Sequence, residues 1–316
     1  MRIGGPLFAV CFLLCAPAGA QEGSEESRTS FGARDLQGVW TTLTATPLER
    51  PPAFDGLTTT EEREAAFVKT SAEAFTSDTS DGVGARGSEW WEFSPHMTRI
   101  NGEIRTSLIV EPATGKMPYS EAGRAKLRAL QAAVMTDFDG PEARPSTERC
   151  LVGGSGATGA PLFVPRYNAN YQVVQTLDHL VISMEQNRDV RVVRLNGAPR
   201  LPPEMRRWMG DSIGWWEGDT LVVETINFVP GDAFKPASPL LVSHHAKVME
   251  RFTRVSASEI LYAYTVEDPE VFSQTWRAEM ILSSTPNHIL EYACHEGNYS
   301  MAGTLAGGRA KEAIGK

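Results

Sequence analysis

From Pro161 onward the chain alternates between apolar and polar residues in short runs. Residues 170–176 and 180–186 alternate and are joined by Leu177-Asp178-His179, and Asn187-Arg188 then leads into residues 189–195. Residues 213–216 and 220–227 flank Glu217-Gly218-Asp219, the composition of a hairpin turn. Residues 247–255, 260–266, 276–282 and 289–295 continue the series. A period of two sends successive side chains to opposite faces, so each run predicts a strand with one buried side. Short strands at this spacing predict a mainly β protein whose antiparallel sheet closes or nearly closes into a barrel, because open edges are a liability. Only residues 202–208 interrupt the alternation, and they predict a short helix.

The first half is less regular. Residues 35–40 begin the structured chain, and residues 60–67 read as a charged first turn entering a short helix. Residues 76–87 are rich in Ser, Asp and Gly and predict a mobile loop. Residues 105–110 (RTSLIV) predict a strand, closed by the turn Pro112-Ala113-Thr114-Gly115. Residues 120–135 predict a helix, with Ser120 as its cap and Leu127, Leu130 and Val134 on one face. Residues 140–159 form a long Gly/Pro/Ser connection of the kind that often walls a site. The domain reading is a leader at 1–20, a disordered lead-in at 21–34, and one β-rich domain at 36–312. Within that domain, residues 36–150 supply strands, helices and covering loops, and residues 161–300 supply the antiparallel core.

Composition adds the compartment. A basic start (Met1, Arg2), an apolar run and Ala18-Gly19-Ala20 have the form of a cleaved secretory leader. Lipid attachment at Cys11 or Cys15 competes with this, but the bulky Val10 and Leu14 precede them where a small residue is needed. No second apolar run approaches membrane length, so no anchor is expected. The net charge of −9 argues against nucleic acid as a partner. Cys150 and Cys294 are the two cysteines outside the leader, and in an exported chain their simplest use is a disulfide. The alternative is two unpaired buried thiols.

Three segments carry a resemblance: residues 210–223 (GDSIGWWEGDTLVV), 250–255 (ERFTRV) and 292–299 (YACHEGNY). Together and in this order they resemble a group of uncharacterised exported proteins of environmental proteobacteria and acidobacteria, over about residues 38–309. The resemblance implies an exported, β-rich protein and carries no reaction with it. Separately, Gly38-Val39-Trp40 resembles the G-x-W opening of lipocalin-like barrels, an analogy of fold in which the tryptophan closes the barrel's lower end.

The candidate chemistry sits on strand faces. Ala246, Val248, Glu250 and Phe252 share one face, so Glu250 lies in an apolar row, where desolvation penalises a carboxylate's charge and suits it to acid–base work. A salt bridge to Arg251 or Arg254 is the structural alternative. His295, on the same expected strand as Glu291, is the candidate second proton carrier, since imidazole titrates near neutrality. Arg251 is the candidate group to steady developing negative charge. Glu185, near Arg188 and Arg191, is a second carboxylate candidate. Tyr167, Asn168, Asn170 and Tyr171, with Trp215, Trp216, Tyr262, Tyr264 and Trp276, are candidates to line a cavity for a flat apolar ligand, or else to form the core.

His244 and His245 precede a strand, so their side chains are expected to diverge. One of them with His295 or Glu296 would form a three-ligand site, but nothing fixes that spacing and no metal is assigned. Gly153-Gly154-Ser155-Gly156 lacks the Lys-Ser/Thr of a phosphate loop, and neither H-E-x-x-H nor G-x-S-x-G occurs, so no organic cofactor is expected. Two functions remain open. One is a periplasmic, cofactor-independent lyase, isomerase or hydrolase acting on a small hydrophobic or aromatic molecule. The other is a non-catalytic binding or carrier protein for such a molecule. A Glu250–His295 pair converging inside the cavity would favour the enzyme.

Overall fold

The computed structural model describes residues 27–76, 92–152, 159–165, 167–229 and 240–315. Before the barrel's main run come β1 (Gly38–Thr41), β2 (Thr58–Thr59), α1 (Glu61–Thr76), β3 (Arg99–Ile100), β4 (Glu103–Arg105), β5 (Ile109–Glu111) and α2 (Glu121–Thr136). Then follow β6 (Asn170–Gln175), β7 (His179–Met184), β8 (Val190–Arg194), β9 (Asp211–Glu217), β10 (Thr220–Ile226), β11 (Lys247–Arg254), β12 (Glu259–Glu267) and β13 (Trp276–Ser284), and finally α3 (Ser300–Ile314).

Nine strands close into a barrel: β1, then β6 to β13 in sequence order, with β13 returning to β1 at Trp40↔Ser284 and Thr41↔Ser283. β5 continues the seam along the other end of β13, at Arg277↔Glu111 and Ala278↔Ile109. β2, β4 and β3 form a separate small sheet. The barrel end carrying the β9–β10 and β11–β12 turns is its lower end; the β7–β8, β10–β11 and β12–β13 connections are at the upper end. No helix among the described residues is long and apolar enough to cross a membrane.

The sheet is not antiparallel throughout. β8 and β9 run parallel, with Val193↔Ser212 and Arg194↔Ile213 in register. A parallel pair needs a crossover rather than a tight turn, and residues 195–210 provide it. Asp211 pins that crossover, accepting both Arg194 Nη2 (2.7 and 2.8 Å) and the Leu201 N–H (3.0 Å). The helix expected at 202–208 does not form: the segment is turns with one isolated bridge, Arg207↔Phe228.

The expected final strand at 289–295 is also absent, and β13 ends the barrel at Ser284. Alternation alone is insufficient where no sheet edge is left to pair with, and β13 and β6 already occupy both edges of β1. The segment instead crosses toward the upper end. The Thr285 N–H donates to Val39 O, and the Leu290 N–H to Glu185 Oε1. The strand expected at 105–110 divides into the end of β4 and the start of β5, because the Leu108 N–H turns to Pro47 O. Of the lead-in expected to be disordered, residues 27–34 form a bridged turn, with Arg28 also 2.9 Å from Asp219.

α2 forms where expected, and the Ser120 hydroxyl accepts the Gly123 N–H as its cap. α1 extends well beyond the expected residues 60–67. α3 was not foreseen, since three glycines at 303, 307 and 308 weaken its helical pattern. Gly308 has a packing reason: a Cβ there would lie 2.4 Å from Phe138 Cβ, so only glycine lets α3 approach that ring. The loop expected at 76–87 and the glycine run at 153–156 lie outside the described residues, apart from Thr76 at the end of α1. So does the leader.

Strand register sorts the inward side chains of β9 to β13 into layers. Ser212, Thr225, Val248, Val266 and Trp276 form the upper layer, and Gly214, Val223, Glu250, Tyr264 and Ala278 the next. Trp216, Leu221, Phe252, Tyr262 and Met280 form the third. Below them Trp40 is buried, its Nε1–H donating to Leu36 O and the Arg254 guanidinium lying 5.3 Å over its ring.

Candidate functional site

One guanidinium organises the barrel's polar interior. Arg191 faces inward from β8 with Val193. Its Nε–H donates to Ser212 Oγ (3.1 Å) on β9, and Nη2 to Thr225 Oγ1 (3.0 Å) on β10. On β11 it holds Glu250 by two bonds: Nη1 to Oε1 at 2.9 Å and Nη2 to Oε2. Tyr262, on β12, donates its O–H to Glu250 Oε1 at 2.6 Å. Ser212 and Thr225 close the ring of contacts at 2.8 Å. Five adjacent strands thus meet at one ion pair, with Arg191 2% and Glu250 0% exposed.

Burial works against the Arg191 charge, but the Glu250 carboxylate, through its charge and hydrogen bonds, more than offsets this and raises the group above its ordinary value. Burial and then the adjacent Glu250 charge push the Tyr262 phenol well up, so it stays a donor. Tyr171 and Tyr264 are raised too, chiefly by burial.

A chain segment enters the barrel from above this network. Residues 159–163 are all buried. The Leu162 N–H donates to Tyr262 Oη (2.8 Å), while Phe163 O accepts from Tyr171 Oη (3.0 Å) and Thr42 Oγ1 (3.2 Å). The Phe163 ring packs edge-on to Tyr264, centroids 6.1 Å apart, and Tyr264 packs edge-on to Trp276 at 5.7 Å. Tyr264 Oη and Trp276 Nε1 are fully buried, and among the described residues neither has a hydrogen-bond partner. An unmade bond of this kind costs about 1–3 kcal/mol.

The expected site residues separate into three places. Glu250, Tyr264, Trp276 and, less deeply buried, Trp216 face the barrel interior. Arg251 does not: it is exposed on the outer face, 2.9 Å from Glu217. Arg254 does not meet Glu250 either; it donates to Asp35 O, Ser256 O and Ala257 O at the lower end. His295 is exposed in a turn on the segment after β13, so the structure does not bring it to Glu250. Trp215 is exposed on the outer face, its Nε1–H donating to Glu217.

The third group lies at the upper rim. Glu185 is buried, accepting Asn170 Nδ2 (2.7 Å) and the Leu290 N–H (3.2 Å), so both it and Asn170 fasten the C-terminal segment. Arg188 meets Glu291 at 3.2 Å nearby. Tyr167 lies on the loop above β6, where its carbonyl accepts Gln186 Nε2 (3.5 Å). Cys150 and Cys294 form the expected disulfide, 144 residues apart in sequence. In the chain-entropy model closing such a loop stabilises the fold by about 4–5 kcal/mol, an upper figure.

Sequence reasoning passed over Arg191 as the anchor, placing it only as a charge near Glu185. The signal was there: in Val190-Arg191-Val192-Val193, period two puts Arg191 beside Val193, on the inward face. It also misplaced His244 and His245, whose rings lie together with centroids 3.9 Å apart. Their companion is Glu270, not His295 or Glu296: His245 Nε2 is 3.2 Å from Glu270 Oε1, and one ligand atom from each of the three residues falls within 4.8 Å of the others. Among the described residues this is the group that could hold a metal ion.

Compared with protein-family models, curated proteins and solved structures, the chain finds no match.

Proposed function

We propose that this is an exported, periplasmic protein that binds a small hydrophobic or aromatic molecule in the upper half of its barrel. The observation that carries the reading is a pair of donors unpartnered among the described residues, Tyr264 Oη and Trp276 Nε1, buried on two edge-to-face rings in adjacent layers. A flat ligand with one acceptor oxygen would stack on these rings and satisfy a donor that water does not reach. The segment at residues 159–163 packs on Tyr264 through Phe163 and would move aside or pack on the ligand. The disulfide supports export, because such bonds persist in oxidising compartments.

A catalytic reading has one observation of its own: the Tyr262 O–H sits 2.6 Å from Glu250 Oε1, an acid–base pair adjoining Tyr264. In that reading Tyr262, not His295, partners Glu250 in a lyase, isomerase or hydrolase. Arg191 and Tyr262 engage both Glu250 oxygens, which favours a structural role and hence binding over turnover.

Tryptophan fluorescence titrations with aromatic and terpenoid alcohols, ketones and acids test both readings, followed by mass spectrometry of each mixture. Saturable binding of an acceptor-bearing ligand, recovered unchanged and weakened about 5–10-fold in Tyr264→Phe, is the expected result. A changed ligand mass or isomer would replace binding with catalysis. The absence of any saturable binding would remove both.

A further inference from the structure

The upper rim of the barrel carries a second polar group, built differently from the interior network. His244 and His245 stand immediately before β11, and Glu270 follows β12, so the closure of the β11–β12 pair brings them to one spot. Their ring nitrogens and carboxylate oxygen are the donor set of a three-ligand site for a borderline divalent cation. A tetrahedral ion with ligands at about 2.0–2.1 Å separates its donors by roughly 3.4 Å. The 4.8 Å spread of the three ligand atoms therefore needs only small side-chain rotations to close.

A buried carboxylate fixes both segments that carry these ligands. Asp268, 2% exposed, accepts the Ser243 N–H (2.6 Å), the Ser243 hydroxyl (2.8 Å) and the Glu270 N–H (3.2 Å). The Ser243 hydroxyl oxygen accepts the His245 N–H (3.1 Å) in turn. From the other side α2 clamps the Glu270 loop: the Ser120 N–H and hydroxyl both donate to Val271 O (2.9 and 3.0 Å), and the Ser273 N–H donates to Pro118 O (2.8 Å). The backbone beneath the three side chains is thus set before any ligand arrives, which is what a metal site needs from its supporting residues. The side chains themselves remain open to solvent, His245 at 56% and Glu270 at 42%.

We propose that His244, His245 and Glu270 form a binding site for a divalent transition-metal ion, zinc in the first instance. The two imidazole nitrogens and one carboxylate oxygen supply three ligands and leave a fourth position to water. The ion replaces the direct His245–Glu270 contact. This site is independent of the ligand proposed for the barrel interior.

The test is calorimetric titration of zinc chloride into the untagged, EDTA-treated and dialysed full protein, with zinc-edge X-ray absorption on the loaded sample. One equivalent should bind at micromolar or tighter affinity. The absorption spectrum should show imidazole nitrogen and carboxylate oxygen without sulfur. His244→Ala, His245→Ala and Glu270→Gln should each weaken binding at least tenfold, while His179→Ala leaves it unchanged. Since two of the three ligands are exposed, unfolding midpoints near wild type should show that the variants keep the fold. Binding unaffected by the three substitutions, or none tighter than about 100 µM, would overturn the proposal.

Discussion

The two polar groups tied together by the β11–β12 pair, one inside the barrel and one at its upper rim, differ in how far their bonds are used. In the interior, Arg191 and Glu250 are closed off from water, and Ser212, Thr225 and Tyr262 take up most of the bonding capacity that the pair leaves over. At the rim, Asp268 is just as buried and just as fully bonded, but the side chains above it converge with ligand atoms turned to solvent. The interior group is finished: it joins five strands and has little left to offer a ligand. The rim group is a rigid base carrying unfinished chemistry. Burial and charge alone do not mark a site; spare bonding capacity on a fixed backbone does.

The largest effect comes from breaking the interior pair. Arg191→Met leaves Glu250 buried without its counter-charge and should cost about 3–5 kcal/mol in denaturant unfolding. Arg191→Met with Glu250→Met should recover most of that loss. A single substitution costing no more than a surface change would mean that the pair does not organise the barrel.

Alkaline pH probes the same interior. Tyr171, Tyr262 and Tyr264 have raised values in the fold, so each loses a proton more readily when unfolded. Their contribution is fully present below the ordinary phenol value of about 10 and drains away above it, by about 1.4 kcal/mol per pH unit for each tyrosine. Their phenolate absorbance should appear only with the loss of near-ultraviolet circular dichroism. Ionisation of all three in the folded state would show that water reaches them.

The smallest effects separate the rim's base from its ligands. Asp268→Asn should destabilise by about 1.5–3 kcal/mol, since it weakens buried charged hydrogen bonds. His245→Ala should stay within about 0.5 kcal/mol, as a surface substitution does. Equal costs for the two would erase the distinction between frame and ligand.

Local patterns were readable before the fold was known. β6, β7 and β10 to β13 fall within a few residues of the alternating runs, and the Ser120 cap marks the start of α2, because these depend on neighbours in sequence. Cysteine count and the expected compartment favoured the disulfide over two free thiols, and the bond forms. Strand and ion pairing across distance was not legible. Residues 289–295 alternate like a strand, yet the closed seam between β13 and β1 leaves them no edge. Arg251 and Arg254 lie close to Glu250 in sequence, but period two and the barrel's curvature send one outside and one to the lower end.

By itself the sequence determined a β-rich, disulfide-linked chain with its apolar faces turned inward, because burial and hydrogen bonding act on every strand in the same local way. The tertiary structure alone decided that Arg191 answers Glu250 from 59 residues away, and that Glu270 reaches the two adjacent histidines. It also decided that β8 and β9 run parallel. Closing a barrel fixes which side chains share a layer and which loops share a rim, and that depends on the order and stagger of the strands rather than on any one of them.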